Sequence, residues 1–180
     1  MPLEKSLKGV CKALREIKEE GLVKGFALIG GLSVSTWGYP RATNDVDLLV
    51  GLASIERLDA FSSALERRGF KTDIRSGGLA DPVPYLIRTS RDDVPVDIII
   101  ATKNWEHEAC EQAVTVSLDG ADIPVAPVEY IIVMKLRAGS PRDLADVSEL
   151  LKTSELRTGF LKGLAKRLRV DRKLEGMKKG

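Results

Sequence analysis

The strongest constraint on how this chain folds is a buried strand that ends in a glycine pair and is followed by a strand that begins with two acids. Segment 25–31 (GFALIGG) predicts a buried strand running into a glycine turn. Segment 43–51 (TNDVDLLVG) predicts a second strand, with Asp45 and Asp47 at its start. Because residues i and i+2 of a strand project to the same face, we expect the two carboxylates to lie side by side.

Two adjacent carboxylates repel each other, so one takes up a proton unless a cation lies between them. Oxygen ligands favour Mg²⁺ or Mn²⁺ over zinc. Asp97 is the lone acid of another apolar segment, VPVDIIIA, and it would join Asp45 and Asp47 if the two strands are neighbours. Three acids can hold two metal ions, the arrangement used for in-line displacement at phosphorus. Taken singly, each acid has the alternative of a strand-end cap or a solvated side chain.

The glycine turn offers a phosphate-binding counterpart to the acids. Gly30 and Gly31 let the backbone approach a ligand closely, and the short helix predicted after them presents free N–H groups. Ser33 is a candidate to donate its hydroxyl to a phosphate, and Arg41, on the loop entering the site, is a candidate to neutralise leaving-group charge. The alternatives are a sharp turn, serines that cap the helix and a surface arginine.

The other elements predict an α+β fold, with a small mixed sheet in residues 1–126 and a helical part in residues 127–180. An amphipathic helix opens the chain, and Gly21 ends it. Strands 85–90 and 94–101 are predicted to be joined by a tight turn at Asp92 and Asp93. The remaining predictions are helix 54–69 with the stripe Ile55, Leu58, Phe61 and Leu65, strand 70–75, helix 104–113, hairpin 114–126, and helices 127–139, 140–153 and about 154–172.

Composition excludes several classes of protein. No apolar run reaches the length of about 18 residues that a membrane-spanning helix needs. The two cysteines lack metal-site spacing and predict buried or free thiols in the cytoplasm, and the single histidine disfavours His-based mechanisms. Residues 152–180 contain ten Lys and Arg against three Asp and Glu. This basic end is predicted either to contact RNA phosphates or to pack on the acidic remainder of the chain.

A second group of charged residues lies in the segment KLRAGSPRDLADVSELL. Lys135 lies in an apolar helix, where a lysine needs an anionic partner. Arg142, Asp143 and Asp146 follow in the next helix, which begins with Ser140 as its N-cap. The alternative for the two acids is structural, because Asp143 occupies the N3 position of a capping box and both acids suit the helix dipole.

These residues resemble the DNA polymerase beta-like nucleotidyltransferase superfamily. Its signature is a glycine pair, thirteen intervening residues and an Asp-x-Asp pair, as at Gly30-Gly31 and Asp45-Val46-Asp47. The longer segment resembles aminoglycoside and lincosamide nucleotidyltransferases and abortive-infection-type toxins, in which an Arg-x-Thr-x-Asp-x-Asp run is common. Thr43 belongs to that run, and many members carry serine at the position of Gly31.

The resemblance implies a mixed sheet with helices on one face, and a helical C-terminal part that closes a substrate cleft. It implies that Asp45, Asp47 and Asp97 bind two Mg²⁺ or Mn²⁺ ions and act in catalysis. Nucleotide and phosphate contacts would come from Gly30, Gly31, Ser33, Arg41, Thr43, Lys135 and Arg142, with Asp143 and Asp146 bracing the cleft.

The predicted function is transfer of a nucleoside monophosphate from a nucleoside triphosphate such as ATP to a hydroxyl of RNA, a protein or a small molecule. The toxin-like relatives act on transfer RNA ends, and an antitoxin partner is a further expectation. Two other hypotheses remain. One is a non-catalytic module that binds nucleotide or an antitoxin, and the other is an unrelated α/β protein whose acids bind a structural cation.

Overall fold

The computed structural model describes residues 2–78, 83–91 and 94–178. A short 3₁₀ turn, Ile55–Arg57, precedes the third helix. None of the helices in this part of the chain is long and apolar enough to cross a membrane. The elements are α1 (Pro2–Glu19), β1 (Val23–Ile29), α2 (Gly30–Thr36), β2 (Val46–Leu52), α3 (Leu58–Glu66), β3 (Lys71–Ser76), β4 (Tyr85–Arg91), β5 (Val94–Ile100), α4 (Asn104–Glu111), β6 (Val114–Leu118), β7 (Ala121–Val125), α5 (Val128–Ala138), α6 (Pro141–Thr153), α7 (Thr158–Arg167) and α8 (Asp171–Lys178).

The strands form one mixed sheet in the order β3-β4-β5-β2-β1-β7-β6. Strands β2 and β5 are parallel neighbours at its centre, whereas β1 and β4 run antiparallel to them on either side. The predicted hairpin is confirmed, because β6 and β7 are joined at Asp119 and Gly120, whose φ angles of 47° and 73° are those of a two-residue hairpin turn. The predicted α+β class is therefore confirmed.

Helices cover both faces of the sheet. Leu48 of β2 packs in one core with Leu14 of α1 and Phe61 of α3. Leu49 points the other way, into a core that it shares with α4 and the C-terminal helices. The expectation of helices on one face is wrong because successive side chains of β2 are both buried, Leu48 at 0% and Leu49 at 2% exposure, so both faces need cover.

The C-terminal helices pack on this second face of the sheet. Ile131 of α5, Val147 of α6 and Leu161 of α7 belong to the same core as Leu49. An ion pair at the edge of the core adds to the packing: the buried Glu129 carboxylate accepts hydrogen bonds from the Arg157 backbone N–H at 2.8 Å and from its exposed guanidinium at 3.0 Å. The division of the chain into residues 1–126 and 127–180 stays a prediction.

The prediction of a single last helix over residues 154–172 is wrong. Helix α7 ends at Arg167, and α8 begins at Asp171. Between them Arg169 has a φ of 59°, a left-handed conformation that a right-handed helix cannot include. The turn carries Val170 into the core, where it is 5% exposed.

The predicted helix 54–69 is also divided, because its first turn is the 3₁₀ turn. Phe61 and Leu65 are buried as expected, but Ile55 is 42% exposed. A 3₁₀ turn has three residues per turn, so Ile55 does not continue the apolar stripe of α3. The predicted turn at residues 92–93 lies outside the described residues.

Both cysteines are buried free thiols, as predicted. Cys11 of α1 lies in the core on one face of the sheet, and Cys110 of α4 lies in the core on the other. Burial raises the pKa of each thiol to about 12. Both are therefore protonated and unreactive at neutral pH.

Candidate active site

Asp47 and Asp97 are direct neighbours on the parallel strands β2 and β5. Paired residues of adjacent strands project to the same face of a sheet, so the two carboxylates share one face. It is the face of Leu49, which α4 and the C-terminal helices cover. The sequence predicted that these acids would come together if their strands were neighbours, and β2 and β5 are parallel neighbours.

Asp45 completes the acid cluster, by which we mean Asp45, Asp47 and Asp97. Asp45 lies just before β2 and is exposed. Burial, together with the carboxylates of Asp97 and Asp45, raises the pKa of Asp47 to about 6, although Lys135 and Arg41 act in the opposite direction. The cluster therefore holds more negative charge than its surroundings balance.

Gly30 places the backbone directly against Asp47. It begins α2 with a φ of 68°, and a Cβ built on it would lie 2.0 Å from the Asp47 Oδ2 atom. Only glycine adopts this conformation without strain and leaves room for the carboxylate. The glycine turn and the acid cluster are thus parts of one site.

Gly31 faces the loop that leads to the acids. A Cβ at this position would lie 3.0 Å from the Arg41 guanidinium and 3.1 Å from the Thr43 hydroxyl. The Ser35 hydroxyl accepts a hydrogen bond from the backbone N–H of Arg41 at 3.2 Å and so holds that loop against α2. The structure therefore brings Arg41 and Thr43 to the glycine turn.

Ser33 lies beneath the turn, away from the cleft. Its side chain is fully buried, and its hydroxyl donates to the Gly30 carbonyl at 2.8 Å. This bond stabilises the first turn of α2. The expected phosphate contact of Ser33 has no support from this placement.

Lys135 and Arg41 meet at Asp146, which is 3% exposed. The Lys135 Nζ atom lies 2.8 Å from the Asp146 carboxylate and 2.9 Å from that of Asp143. Arg41 pairs with the same Asp146 carboxylate. Asp143 also forms the capping box with Ser140, so the same carboxylate caps α6 and pairs with Lys135. This network joins α5 and α6 to the loop before β2.

Arg142 lies at the surface beside this network. Its guanidinium donates to the Ala42 carbonyl at 3.1 Å, on the loop between Arg41 and Thr43. In this arrangement Arg142 contacts the loop backbone, and its side chain is exposed to solvent.

Arg88 of β4 was not among the residues predicted from the sequence. It is the cross-strand partner of Asp97, and its guanidinium donates to both carboxylate oxygens at 2.8 and 2.9 Å. A signal existed in the sequence: a two-residue turn at residues 92–93 sets a hairpin register in which Arg88 faces Asp97.

The acid cluster has the oxygen donors that a hard divalent cation prefers, and the raised pKa of Asp47 reflects charge that such an ion would balance. In residues 2–78, 83–91 and 94–178, however, no group of three or more His, Cys, Asp or Glu side chains is arranged to hold a metal ion. Both oxygens of Asp97 are engaged by Arg88 instead. The donor set fits Mg²⁺ or Mn²⁺, and Asp97 would have to leave Arg88 to complete it.

A cleft of about 810 Å³ opens beside Asp47, between the sheet and the C-terminal helices. Trp105 forms part of its wall, with the Arg137 guanidinium 5.7 Å from the ring centre. Asp47, Glu106 and Asp143 are acidic residues of its lining. The cations that line it are Arg41, Lys103, Lys135, Arg137, Arg169 and Lys173. The cleft therefore combines a carboxylate end with walls rich in positive charge.

A family model described as nucleotidyl transferase AbiEii toxin, type IV toxin–antitoxin system, matches residues 12–177. None of the curated proteins compared with the chain matches it. The match spans nearly the whole chain, including the glycine turn, the acid cluster and the helical segment with Lys135.

Several solved structures share the fold. The antibiotic-resistance factor ANT(2'')-Ia aligns with a TM-score of 0.61 at 15% identity, over 91% of this chain and 90% of its own. The lincosamide antibiotic adenylyltransferase LnuA aligns at 0.50 and 15% identity, over 82% and 97%. An antigenic nucleotidyltransferase-like protein from Paracoccidioides brasiliensis aligns at 0.50 and 17% identity, over 96% and 92%. At these identities the likeness supports the fold alone.

Gly30 and Gly31 are expected to differ sharply in how much stability is lost when each is replaced by alanine. Gly30→Ala forces a side chain into a left-handed conformation and against Asp47, so it should lower the free energy of unfolding by about 2 kcal/mol or more. Gly31→Ala has no positive φ to overcome and requires the Arg41 and Thr43 side-chain ends to shift by a few tenths of an ångström, so it should cost under about 1 kcal/mol. Urea denaturation of both variants measures the difference, and equal losses would contradict this account of the turn.

Removing the charge of Asp47 is expected to stabilise the metal-free protein. At pH 8 with a chelator, Asp47→Asn should unfold with a free energy higher by about 1–3 kcal/mol, because the ionised carboxylate is half-buried beside Asp97 and near Asp45. A folded-state pKa raised to about 6 means that the wild type gains stability as the pH falls towards 4, so the advantage of the variant should shrink there.

Urea denaturation at pH 8 and at pH 5 tests this linkage. Glu155→Gln, which removes an exposed acid from the loop before α7, serves as the matched control for net charge. An Asp47→Asn variant that is no more stable than this control at pH 8 would show that the repulsion is absent.

Proposed function

The chain belongs to the AbiEii nucleotidyltransferase toxin family, and from this premise we propose that it is a divalent-metal-dependent enzyme that transfers a nucleoside monophosphate from a nucleoside triphosphate to a hydroxyl acceptor. The observation that carries the proposal is the pairing of Asp47 with Asp97 on parallel strands, against the glycine turn and at the wall of a cationic cleft. Such an arrangement suits the negative charge that develops in phosphoryl transfer.

Asp45, Asp47 and Asp97 would hold the Mg²⁺ or Mn²⁺ ions, which supply Lewis-acid stabilisation of the phosphates and lower the pKa of the acceptor hydroxyl. The acceptor oxygen forms a bond to the α-phosphorus while the bond from that phosphorus to the bridging oxygen breaks. Pyrophosphate leaves with the electron pair. The hydroxyl proton passes to Asp97 in this scheme.

The triphosphate would lie between the glycine turn and the Lys135 network. Gly30 and Gly31 expose backbone beside Asp47, and Arg41 and Thr43 border Gly31. Lys135 lines the cleft, and its two carboxylate partners, Asp143 and Asp146, fix its position. Arg142 can reach a phosphate only by leaving the Ala42 carbonyl. Residues 127–180 would close the cleft over the nucleotide.

The charge of the cleft favours an anionic acceptor. Arg137, Arg169 and Lys173 extend the positive lining away from the acid cluster. A strand of RNA, such as a transfer RNA end, matches this surface, because Lys and Arg contacts to phosphates supply most of its affinity. ANT(2'')-Ia, which shares the fold, has been solved with adenylyl-2''-tobramycin, whose aminoglycoside part is cationic and would be repelled here.

A non-catalytic module remains the second candidate. The observation that favours it is the ion pair between Arg88 and Asp97. Arg88 occupies both oxygens of Asp97, so Asp97 is not available to bind a metal ion in this arrangement. The family description also includes a toxin–antitoxin system, so an antitoxin partner that binds the chain is part of the proposal in either case.

Transfer activity is expected to depend on Asp47. The purified protein with Mg²⁺, each radiolabelled triphosphate in turn, and total RNA and protein extract should label an acceptor. Asp47→Asn should reduce labelling at least 100-fold, because loss of a metal-binding carboxylate removes several kcal/mol of transition-state stabilisation. Glu155→Gln should retain the wild-type rate. Nucleotide binding without transfer from any triphosphate would favour the non-catalytic module.

We expect the acceptor to be an anion, because positively charged side chains line the cleft. Label should enter RNA, transfer should weaken steeply with added salt, and tobramycin should remain unlabelled. Arg169→Glu, in the cleft lining, should raise the KM for RNA about tenfold, whereas Lys162→Glu makes the same charge change on α7 outside that lining. Equal effects of the two variants would overturn the RNA path through the cleft.

A further inference from the structure

We propose that Arg88 is a positioning residue that holds Asp97 while the site is empty of metal and moves to Asp73 when a divalent ion binds. The inference rests on the proposed function, since it assigns Arg88 a role toward the acid cluster. The observation behind it is a single row of charged side chains across four strands of the sheet.

The row follows from strand register. Asp73 of β3 pairs with Arg88 of β4, Arg88 with Asp97 of β5, and Asp97 with Asp47 of β2. Directly paired residues project to the same face, with Cβ atoms about 4.5–5.5 Å apart in antiparallel pairs. Arg88 therefore lies between two carboxylates, Asp97 on the inner side and Asp73 on the outer side.

Of these two carboxylates, Arg88 pairs with the inner one. Its guanidinium engages both Asp97 oxygens, whereas Asp73 pairs with Arg75 at 2.9 Å. The Arg88 side chain is 48% exposed and that of Asp97 is 19% exposed. An exposed, long side chain can exchange partners at little cost, because exposed ion pairs contribute about 0–1 kcal/mol.

A guanidinium and a divalent ion cannot use the same Asp97 oxygens. Asp97, together with Asp45 and Asp73, raises the pKa of Arg88, so the guanidinium responds to charge on both sides of the row. A divalent ion at Asp47 and Asp97 would repel this neighbouring cation. Binding of the metal and of Arg88 at Asp97 are therefore competitive, and Asp73 offers the displaced guanidinium a second carboxylate.

The competing account is an ordinary cross-strand ion pair that stabilises β4 against β5. It predicts that loss of Arg88 changes stability and leaves metal affinity unaltered. If Arg88 and the metal ion compete for Asp97, loss of Arg88 instead raises the affinity for the metal. Measurement of Mn²⁺ binding without nucleotide separates the two accounts.

The experiment titrates Mn²⁺ into nucleotide-free protein and follows the free ion by electron paramagnetic resonance. Arg88→Gln should bind Mn²⁺ about tenfold more tightly than the wild type, and Arg88→Lys, which keeps the charge but loses the two-pronged contact, should lie between them. Asp73→Asn should weaken binding about twofold to threefold, because the displaced guanidinium loses its second partner.

Arg91→Gln is the matched control. It removes one exposed arginine charge from the same strand, three residues from Arg88 and on the opposite face, so the Arg88–Asp97 contact stays intact and the affinity should change less than about twofold. Mn²⁺ affinity that is unchanged or lower in Arg88→Gln, or a gain no larger than that of Arg91→Gln, would overturn the inference. Absence of Mn²⁺ binding by both the wild type and Arg88→Gln would also overturn it.

Two further measurements distinguish failure of this inference from failure of the proposed function. Asp47→Asn should lose Mn²⁺ binding if the acid cluster is the metal site, whatever the role of Arg88. The transfer assay with radiolabelled triphosphates tests catalysis separately. An active enzyme whose Arg88→Gln variant gains no affinity would retain the proposed function and exclude the arginine exchange.

Discussion

Repulsion between carboxylates on two parallel neighbouring strands is the constraint on which the rest of this site depends. Asp47 is half-buried beside Asp97 and near Asp45, and partial desolvation together with these two charges raises its pKa. The residues around these carboxylates either make room for them or reduce their negative charge. The glycine at position 30 admits the carboxylate, Lys135 and Arg41 lower its pKa, and Arg88 neutralises Asp97. Functional sites commonly retain such destabilising charge because the ligand needs it.

The C-terminal helices contribute much of the positive charge that lines the cleft. Asp146 accepts ion pairs from Lys135 of α5 and from Arg41 of the loop before β2, so one buried carboxylate fixes two cations that come from distant parts of the chain. The turn between α7 and α8 brings Arg169 to the same cleft. The basic end of the sequence is thus partly structural, through Leu161 and Leu164 in the core, and partly a lining of the cleft.

Local pattern was sufficient for much of the fold. The period of apolar residues predicted α1, and the Asp-Gly pair predicted the β6–β7 hairpin. It was insufficient where tertiary packing selects the backbone: Arg169 takes a left-handed conformation so that Val170 reaches the core, and Ile55 leaves the stripe of α3 in a 3₁₀ turn. Neither residue type signals these conformations by itself, since both are ordinary in helices.

The sequence by itself determined the residue types of the candidate site, because the glycine pair, the Asp-x-Asp run and the lone acid at position 97 stand in or next to apolar strands, where a carboxylate needs a cation or solvent. It also contained the hairpin register that faces Arg88 to Asp97. Only the tertiary structure decided which charges meet. Parallel pairing of β2 and β5 sets Asp47 beside Asp97, and packing of α5 and α6 on the sheet brings Lys135 and Asp146 to Arg41. These contacts join residues far apart in the chain, and their distances depend on strand order and helix packing, which no local pattern encodes.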